Sequence, residues 1–214
     1  MLNRDMYCWG DNTYGQLGDG TTTKRVIPVK TLMTAATQLT AGNLHTCAVN
    51  SSGMYCWGYN TYGQIGNGST GGTPFPTKNY MTNPTSITAG VLGDFTCATN
   101  STGTRTDMYC WGRNTNGELG NGSASGANAN PFPTQNLMTN ATMINAGSTH
   151  ACAVNSSGMY CWGYNNEGEL GDGTTATNYT PNLNLMTAPT QISAGSFLTC
   201  AVNSTGSRND MYCW

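Results

Sequence analysis

The stretch Thr46-Cys47-Ala48-Val49-Asn50-Ser51-Ser52-Gly53-Met54-Tyr55-Cys56-Trp57 decides the fold of this chain. Two apolar, β-prone arms flank a Ser-Ser turn, and Gly53 stands where the turn needs an unusual backbone dihedral, so the stretch predicts a β-hairpin. Pairing about the turn places Cys47 opposite Cys56 in a non-hydrogen-bonded pair, where α-carbons approach to about 4.5 Å. That spacing suits a disulfide.

The second arm of this hairpin, Met-Tyr-Cys-Trp, recurs at intervals of roughly fifty residues, which identifies the chain as a repeat array. A unit of this length needs neighbours to bury its apolar faces. The first arm, with the sequence Cys-Ala-Val or Cys-Ala-Thr, precedes four of the five copies. The copies of the second arm are Met6–Trp9, Met54–Trp57, Met108–Trp111, Met159–Trp162 and Met211–Trp214.

The same pairing in each hairpin, with a longer loop in the second and the fourth, predicts four disulfides. Each bridge closes a short loop, which stabilises the fold by about 3 kcal/mol in the chain-entropy model. Because such bridges persist in oxidising compartments, we expect the protein to be extracellular or at the cell surface. The predicted bridges are Cys47–Cys56, Cys97–Cys110, Cys152–Cys161 and Cys200–Cys213.

Cys8 is the ninth cysteine and lacks a preceding first arm. Cys213 already has a closer partner in Cys200, so no pairing of the two kinds of arm uses every cysteine. We therefore expect this chain to be a segment of a longer polypeptide, with the partner of Cys8 upstream. Because Trp9 and Trp214 belong to equivalent strands, the segment is expected to form an incomplete propeller.

A metal site is the alternative interpretation of the cysteines. His45 and His150 stand two residues before Cys47 and Cys152, on the same strand face, and a facing cysteine would supply a third ligand. The other two units replace the histidine by phenylalanine or leucine and keep both cysteines. We therefore interpret the histidines as half-exposed strand residues with hydrogen-bond partners, and we expect no metal.

The composition disfavours nucleic acid and membranes as partners. Only 8% of the residues are charged, and eight Lys and Arg stand against ten Asp and Glu, without a basic stripe. No apolar run approaches the length of a membrane-spanning helix. Abundant Gly, Met, Tyr, Cys and Trp supply the buried mass of a folded protein instead.

A glycine-rich loop follows each Trp of the first four copies, and its glycines predict turns with positive φ. One aliphatic side chain in each loop is expected to pack on the core: Leu17, Ile65, Leu119 or Leu170. A proline farther along (Pro28, Pro76, Pro133 or Pro181) marks an edge strand. A short strand ending in Ala-Gly then precedes the hairpin.

Four short strands per unit predict an all-β fold of propeller blades, each with four antiparallel strands. Four complete repeats plus one extra strand are expected, as part of a larger propeller or array. The chain is a single repeat array over residues 1–214, with units at approximately 10–57, 58–111, 112–162 and 163–214 and with 1–9 as the last strand of a preceding unit.

Side-chain alternation in the hairpin supports blades packed face to face, because both faces are apolar enough to be buried. A sheet with two buried faces needs a sheet on each side, which radial stacking provides. One face carries Cys47, Val49, Met54 and Cys56, and the other carries Thr46, Ala48, Tyr55 and Trp57.

The repeat, with Cys-Trp-Gly-x-Asn-x-x-Gly-Gln-Leu-Gly-Asp-Gly, then proline, then Ala-Gly-x-x-His-Thr-Cys-Ala-Val, resembles that of the regulator of chromosome condensation family over essentially the whole chain. The resemblance implies a β-propeller, typically of seven blades, whose loops bind proteins. The family's namesake is a nuclear exchange factor for the GTPase Ran, whereas beta-lactamase inhibitory protein II, of the same fold, is a secreted inhibitor. The paired cysteines here argue against the nuclear role.

The carboxylates lie mostly in turns and form neither a Ser/His/Asp set nor an acid pair, so we expect no enzyme and no cofactor. A calcium loop at 11–20 is disfavoured because position 11 becomes Tyr59, Arg113 and Tyr164 in the other loops. The sequence favours an extracellular protein-binding or surface scaffold; self-assembly as a structural protein and secreted enzyme inhibition are the alternatives. Candidate contacts to a protein partner or a second copy are Tyr14, Tyr62, Arg105, Asp107, Arg208 and Asp210.

Overall fold

The computed structural model describes residues 5–101, 103–187, 189–205 and 208–214, without the side chains of Thr205 and Arg208. Within these residues the chain forms strands and turns and no helix. The strands are β1 (Asp5–Gly10), β2 (Arg25–Thr34), β3 (Gln38–Ala41), β4 (His45–Asn50), β5 (Gly53–Gly58), β6 (Thr73–Lys78), β7 (Pro84–Ala89), β8 (Phe95–Ser101), β9 (Thr106–Gly112), β10 (Thr134–Thr139), β11 (Met143–Ala146), β12 (His150–Asn155), β13 (Gly158–Gly163), β14 (Asn178–Leu183), β15 (Gln191–Ala194), β16 (Thr199–Thr205) and β17 (Arg208–Cys213).

The strands form five antiparallel sheets, which are the blades of the fold. Three complete blades have the orders β3-β4-β5-β6, β7-β8-β9-β10 and β11-β12-β13-β14. The first sheet contains β1 and β2, and the last contains β15, β16 and β17. The short strands that end in Ala-Gly stand side by side on the inside, because β3 packs beside β7, β7 beside β11 and β11 beside β15. The fold is all-β, as predicted.

Each complete blade takes its outer strand from the next sequence unit. The proline-containing strand β6 pairs with β5, although the glycine-rich loop separates the two strands in sequence. The blades are therefore offset from the sequence units by one strand. Pairing across the unit boundary ties each unit to the next through backbone hydrogen bonds, and it puts the proline at the outer edge, where a missing N–H is tolerated.

The hairpins have the register expected from the sequence. In β4 and β5 Cys47 stands opposite Cys56 and Asn50 opposite Gly53, and the Cys47 and Cys56 α-carbons are 4.1 Å apart. Gly53 has a φ of 129°, which explains why glycine follows the Ser-Ser turn. The structure contains disulfides at Cys47–Cys56, Cys97–Cys110, Cys152–Cys161 and Cys200–Cys213.

Both faces of a blade are buried between its neighbours, as the alternation predicts. One face of β4 and β5 packs against Ile65, Ala98 and Trp111, which belong to the following unit. The opposite face, with Ala48 and Trp57, packs against side chains of the first sheet. Neighbouring blades thus share their cores.

A tryptophan lock joins each blade to the glycine-rich loop before it. The indole Nε1 of Trp57 donates to the Gln16 carbonyl oxygen at 2.9 Å, and Trp111 donates to that of Gln64 at 2.8 Å. The indole lies so close to the loop that a Cβ on Gly66 would stand 2.5 Å from Trp111 Nε1. Trp162 and Trp214 donate in the same way to the carbonyl oxygens of Glu118 and Glu169. Glycine is therefore needed for contact as well as for its positive φ.

The histidines belong to this inter-blade contact. The Thr96 hydroxyl donates to the Gln64 carbonyl oxygen at 2.9 Å, so the Thr96 oxygen is left to accept from His45 Nε2 at 2.8 Å. His150 pairs with Thr199 in the same way, at 2.8 Å. The expected hydrogen-bond partners are present, but the expected half-exposure is wrong. His45 and His150 are 1% and 0% exposed, because the next blade covers them.

The first sheet shows what a blade loses without a neighbour on one side. Trp9 is 61% exposed, whereas Trp57, Trp111 and Trp162 are fully buried. Beside β1 lies a groove of about 440 Å³ that Cys8 helps to line, and Cys8 is a thiol whose pKa is raised by burial. The first and last sheets are separate in the described part of the chain, so the blades do not form a closed four-bladed ring.

Replacing Gly66 by alanine tests the tryptophan lock. Gly66 has a φ of 76°, and its new methyl group would collide with the Trp111 indole, so both strain and overpacking destabilise the fold. Gly168→Ala is the matched control, because Gly168 has a φ of 89° with no atom within 4 Å of the added Cβ. We expect the free energy of unfolding in urea to fall by about 1 kcal/mol in the control and by about 3 kcal/mol in Gly66→Ala. Equal losses would contradict the lock.

Replacing His45 by phenylalanine tests the buried histidine. Burial lowers the pKa of His45 from 6.5 to about 4. Between these values the unfolded chain binds a proton that the folded chain does not, so the free energy of unfolding decreases as the pH falls through this window. Between pH 7.5 and pH 4 the free energy of unfolding of His45→Phe should fall less than that of the original protein, by up to about 3 kcal/mol. Urea titrations measure the difference, and Phe95 shows that a phenyl ring fits at the equivalent position. Parallel pH profiles would refute the assignment.

Candidate protein-binding surface

The glycine-rich loops lie together at one end of the blades, which we call the loop face. They connect β1 to β2, β5 to β6, β9 to β10 and β13 to β14. The turns of the disulfide hairpins lie at the opposite end, which we call the hairpin face. Because equivalent strands run in the same direction in successive blades, residues at equivalent loop positions come side by side on one face.

A buried asparagine holds each loop in shape. The side-chain oxygen of Asn12 accepts from the Leu17 N–H at 2.9 Å, and its amide group donates to the carbonyl oxygens of Thr21 at 3.0 Å and Thr23 at 3.1 Å. Asn60 and Asn165 make equivalent bonds, and Asn114 repeats the bond to the leucine and one of those to a carbonyl oxygen. Leu17 is thereby turned inward and is 5% exposed, as the sequence analysis expected. The polar residues that remain are presented to solvent on a fixed backbone.

In each of the first two loops a glutamine links the backbone N–H of one tyrosine, Tyr14 or Tyr62, to a carboxylate. Gln16 accepts from the Tyr14 N–H at 2.9 Å and donates to Asp11 at 2.7 Å. Gln64 accepts from the Tyr62 N–H at 3.1 Å and donates to Asp94, which precedes β8, at 3.2 Å. In each case a carboxylate is bonded through the glutamine to the backbone of the loop that carries the tyrosine.

The tyrosines form a row that crosses from one loop to the next. The rings of Tyr14 and Tyr59 meet edge to face with their centroids 4.9 Å apart, and those of Tyr59 and Tyr62 are 6.5 Å apart. The Arg113 guanidinium lies over the Tyr62 ring at 5.6 Å, within the range of a cation–π contact. Tyr14, Tyr59, Tyr62 and Arg113 are the tyrosine row. They come from three sequence units.

Arg113 also acts on the carboxylates beside it. Burial raises the pKa of Asp94, and the charge of Arg113 opposes that rise. Burial likewise raises the pKa of Glu118, whose carboxylate accepts from the backbone N–H of Asn116 at 2.8 Å. Arg113 is held in turn by a bond of 3.1 Å from its Nε to the Thr115 hydroxyl. The guanidinium is thus fixed between an aromatic ring and acidic groups.

The two faces carry different charge. The segments of the loop face hold seven acidic residues against three basic ones, whereas described acidic and basic side chains are equal in number on the hairpin face. The loop-face acids are Asp11, Asp19, Asp94, Glu118, Glu167, Glu169 and Asp172, and the bases are Lys24, Arg25 and Arg113. The hairpin-face residues are Asp5, Asp107, Asp210, Lys30, Lys78 and Arg105. Glu118 and Glu169 are buried, so five acidic and three basic side chains of the loop face reach solvent, which leaves a modest acidic excess around the tyrosine row.

The contact residues predicted from the sequence lie on two surfaces. Tyr14 and Tyr62 belong to the tyrosine row on the loop face. Arg105 and Asp107 form an ion pair on the hairpin face, where Asp210 stands opposite Asn203 in the last hairpin. The side chain of Arg208 lies outside the described residues. These six positions therefore do not form one continuous site.

Sequence reasoning missed Tyr59 and Arg113, which complete the row. Both occupy the position of Asp11 in their loops, and this position was considered only as a calcium ligand. The variation itself was the available signal, because an exposed position that changes from Asp to Tyr to Arg in an otherwise repeated loop is not fixed by the fold. Their contacts with tyrosines could not be seen before the loops were placed side by side.

The Glu118 and Glu169 carboxylates accept hydrogen bonds from backbone N–H groups of their own loops. Glu118 and Glu169 stand where Gln16 and Gln64 stand in the earlier loops, and Glu169 accepts from the Glu167 N–H at 3.0 Å.

Among the described residues no group of three His, Cys, Asp or Glu side chains could hold a metal ion. The described part of the chain also contains no apolar helix of membrane-spanning length.

The family model described as "Regulator of chromosome condensation (RCC1) repeat" matches most of the chain, at residues 5–49, 52–98, 107–154 and 157–202. A second model of the same repeat matches residues 36–64 and 144–169. The matched segments include the tyrosine row and every bridged cysteine except Cys213.

Solved structures share the fold at low sequence identity. Yeast RCC1 (Prp20), solved with Kap60 bound, is 21% identical with a TM-score of 0.72, over 90% of this chain and 48% of that chain. Human WBSCR16 is 18% identical with a TM-score of 0.76, over 99% of this chain and 57% of that chain. This chain thus spans about half the length of these proteins, and the likeness shows the propeller fold. The repeats matched along the chain show that it belongs to the regulator of chromosome condensation (RCC1) repeat family.

Proposed function

We propose that this chain is an extracellular, non-enzymatic scaffold that binds a protein partner through its loop face. The observation that carries the proposal is the tyrosine row. Tyr14 is 43% exposed, and Tyr59 and Tyr62 continue from it as half-buried rings on a rigid backbone. Tyrosine supplies a large contact area at a low cost in side-chain entropy, and it is enriched where proteins bind one another.

The rigidity of the loops supports a role in recognition. Each loop is fixed by its asparagine, its glutamine or glutamate and the tryptophan lock, so little conformational entropy is lost when a partner binds. The yeast relative was solved with a protein, Kap60, bound to it. In the present chain, loops on such a scaffold are the natural place for binding residues.

The disulfides support an extracellular or cell-surface location. Four hairpins carry a bridge, and the bridges fit an oxidising environment. Reducing systems in the cytosol keep cysteines in the thiol form. There the four bridges would be replaced by eight buried or strand-facing thiols. An extracellular or cell-surface location is therefore part of the proposal.

Affinity capture from the surface and medium of intact source cells tests the proposal. The oxidised chain is used as bait beside Tyr59→Ser, which breaks the tyrosine row, and Tyr80→Ser, a matched control. Tyr80 is 60% exposed and stacks on Phe132, outside the row. We expect the original chain and Tyr80→Ser to retain the same protein by quantitative mass spectrometry, and Tyr59→Ser to retain at least tenfold less.

Two results would contradict the proposal. If all three baits retain the same proteins equally, the tyrosine row is not the binding surface. If the endogenous protein is recovered from the cytosol or nucleus with its cysteines reduced, the extracellular assignment is wrong. Retention of a second copy of this chain, with the same dependence on Tyr59, would identify self-association as the use of the surface.

A further inference from the structure

The contact between Arg113 and Tyr62 shows how this surface holds a cation. The guanidinium lies over the ring of Tyr62 at 5.6 Å, and its charge opposes the rise that burial causes in the pKa of Asp94. Gln64 accepts from the backbone N–H of Tyr62 and donates to Asp94, so the carboxylate is bonded to the loop that carries the ring. Aromatic ring, carboxylate and guanidinium thus form one cluster, and the cation comes from the next sequence unit.

The preceding pair of loops holds a similar set of groups, but its carboxylate, Asp11, comes from another place in the loop, and the ring of Tyr59 stands where the cation stands in the next pair. Tyr14 is the equivalent of Tyr62, and Gln16 links it to Asp11 as Gln64 links Tyr62 to Asp94. The position of Arg113 is taken by Tyr59, whose N–H donates to the carbonyl oxygen of Leu44 at 2.8 Å, as that of Arg113 donates to Asp94 at 2.8 Å. The equivalence is therefore one of backbone as well as sequence.

We propose that a lysine or arginine side chain of the protein partner docks on the exposed part of the Tyr14 ring and pairs with the Asp11 carboxylate, with the same chemistry by which Arg113 docks on Tyr62. The partner segment is a cationic peptide strand or loop. This inference rests on the proposed function, because it assigns the chemistry of the partner that the tyrosine row binds.

The electrostatics at Tyr14 favour this occupant. Hydrogen bonds, that from the Thr13 hydroxyl first, lower the pKa of Asp11, so its carboxylate is ionised at neutral pH. Asp11 is exposed, and the ion pairs seen among the described residues are Arg25–Asp19, Lys30–Asp5 and Arg105–Asp107. The surrounding loop face has an acidic excess, which attracts a basic segment at long range.

The other loops provide a control within the chain. The fourth loop carries Tyr164 at the position of Tyr59 and Arg113, but the tyrosine of the neighbouring loop is replaced there by Asn116. No ring stands at that place to receive a cation. A charge introduced at Tyr164 therefore changes the loop face as much as one at Tyr59 without filling the Tyr14 cluster.

A labelled peptide of alternating arginine and glycine tests the proposal, beside the same peptide with citrulline for arginine. Fluorescence anisotropy at pH 7.5, in low and in high salt, measures binding to the oxidised chain. We expect the arginine peptide to bind at least tenfold more tightly than the citrulline peptide in low salt, and the difference to shrink in high salt. Tyr59→Arg should weaken its binding at least tenfold by supplying an internal cation, whereas Tyr164→Arg should weaken it less than threefold.

A second variant gives the opposite result. Arg113→Tyr removes the internal cation from Tyr62 and Asp94, so we expect a second equivalent of peptide to bind. Equal binding of the two peptides, or equal losses in Tyr59→Arg and Tyr164→Arg, would overturn the cation site. If partner capture depends on Tyr59 while the arginine peptide fails to bind, the proposed function stands and the inference falls. If the peptide binds as expected but nothing is captured, the cation site stands and the proposed function falls.

Discussion

Each sheet after the first depends on a tryptophan that reaches across to the glycine-rich loop of the sheet before it. The indole N–H of Trp111 bonds the Gln64 carbonyl oxygen, and the ring lies against Gly66 so closely that a methyl group has no room. The loop must therefore combine glycine, a positive φ and an inward-facing aliphatic residue at one place. This requirement explains why the Gly-x-Leu-Gly pattern and the tryptophan recur together.

The interior of the array relies on hydrogen-bonded polar side chains far more than on ion pairs. Most buried polar side chains of the described residues are amides, hydroxyls and imidazoles, with Glu118 and Glu169 as the buried acids, and many of them bond a group of their own loop or of the next blade. Asn12 closes its loop, and Thr96 joins His45 to the Gln64 carbonyl oxygen. Such bonds offset the cost of burying polar atoms. The disulfides then staple hairpins whose two faces are already covered by neighbouring blades.

Fixed loops turn small sequence differences into a surface. Position 11 and its equivalents carry Asp, Tyr, Arg and Tyr, and the fold accepts all four because the side chain is at least partly exposed there. Chemical character therefore arises at the junctions between units. Tyr59 meets Tyr14, and Arg113 meets Tyr62, although neither pair is close in sequence. A repeat array can change its partner by changing a few such positions while the locks stay the same.

The sequence by itself determined the hairpin register, the disulfide pairs, the buried loop residues and the proline edge strands. All of these follow from local periodicity, turn chemistry and the two faces of a strand, which act over a few residues. The tertiary structure alone decided which strand completes each blade, that His45 and His150 are fully covered, and which tyrosines stand together. Those features depend on contacts between units roughly fifty residues apart, and the spacing of repeats indicates that units stack without giving the offset between them. The tyrosine row became visible only when stacking brought equivalent loops side by side.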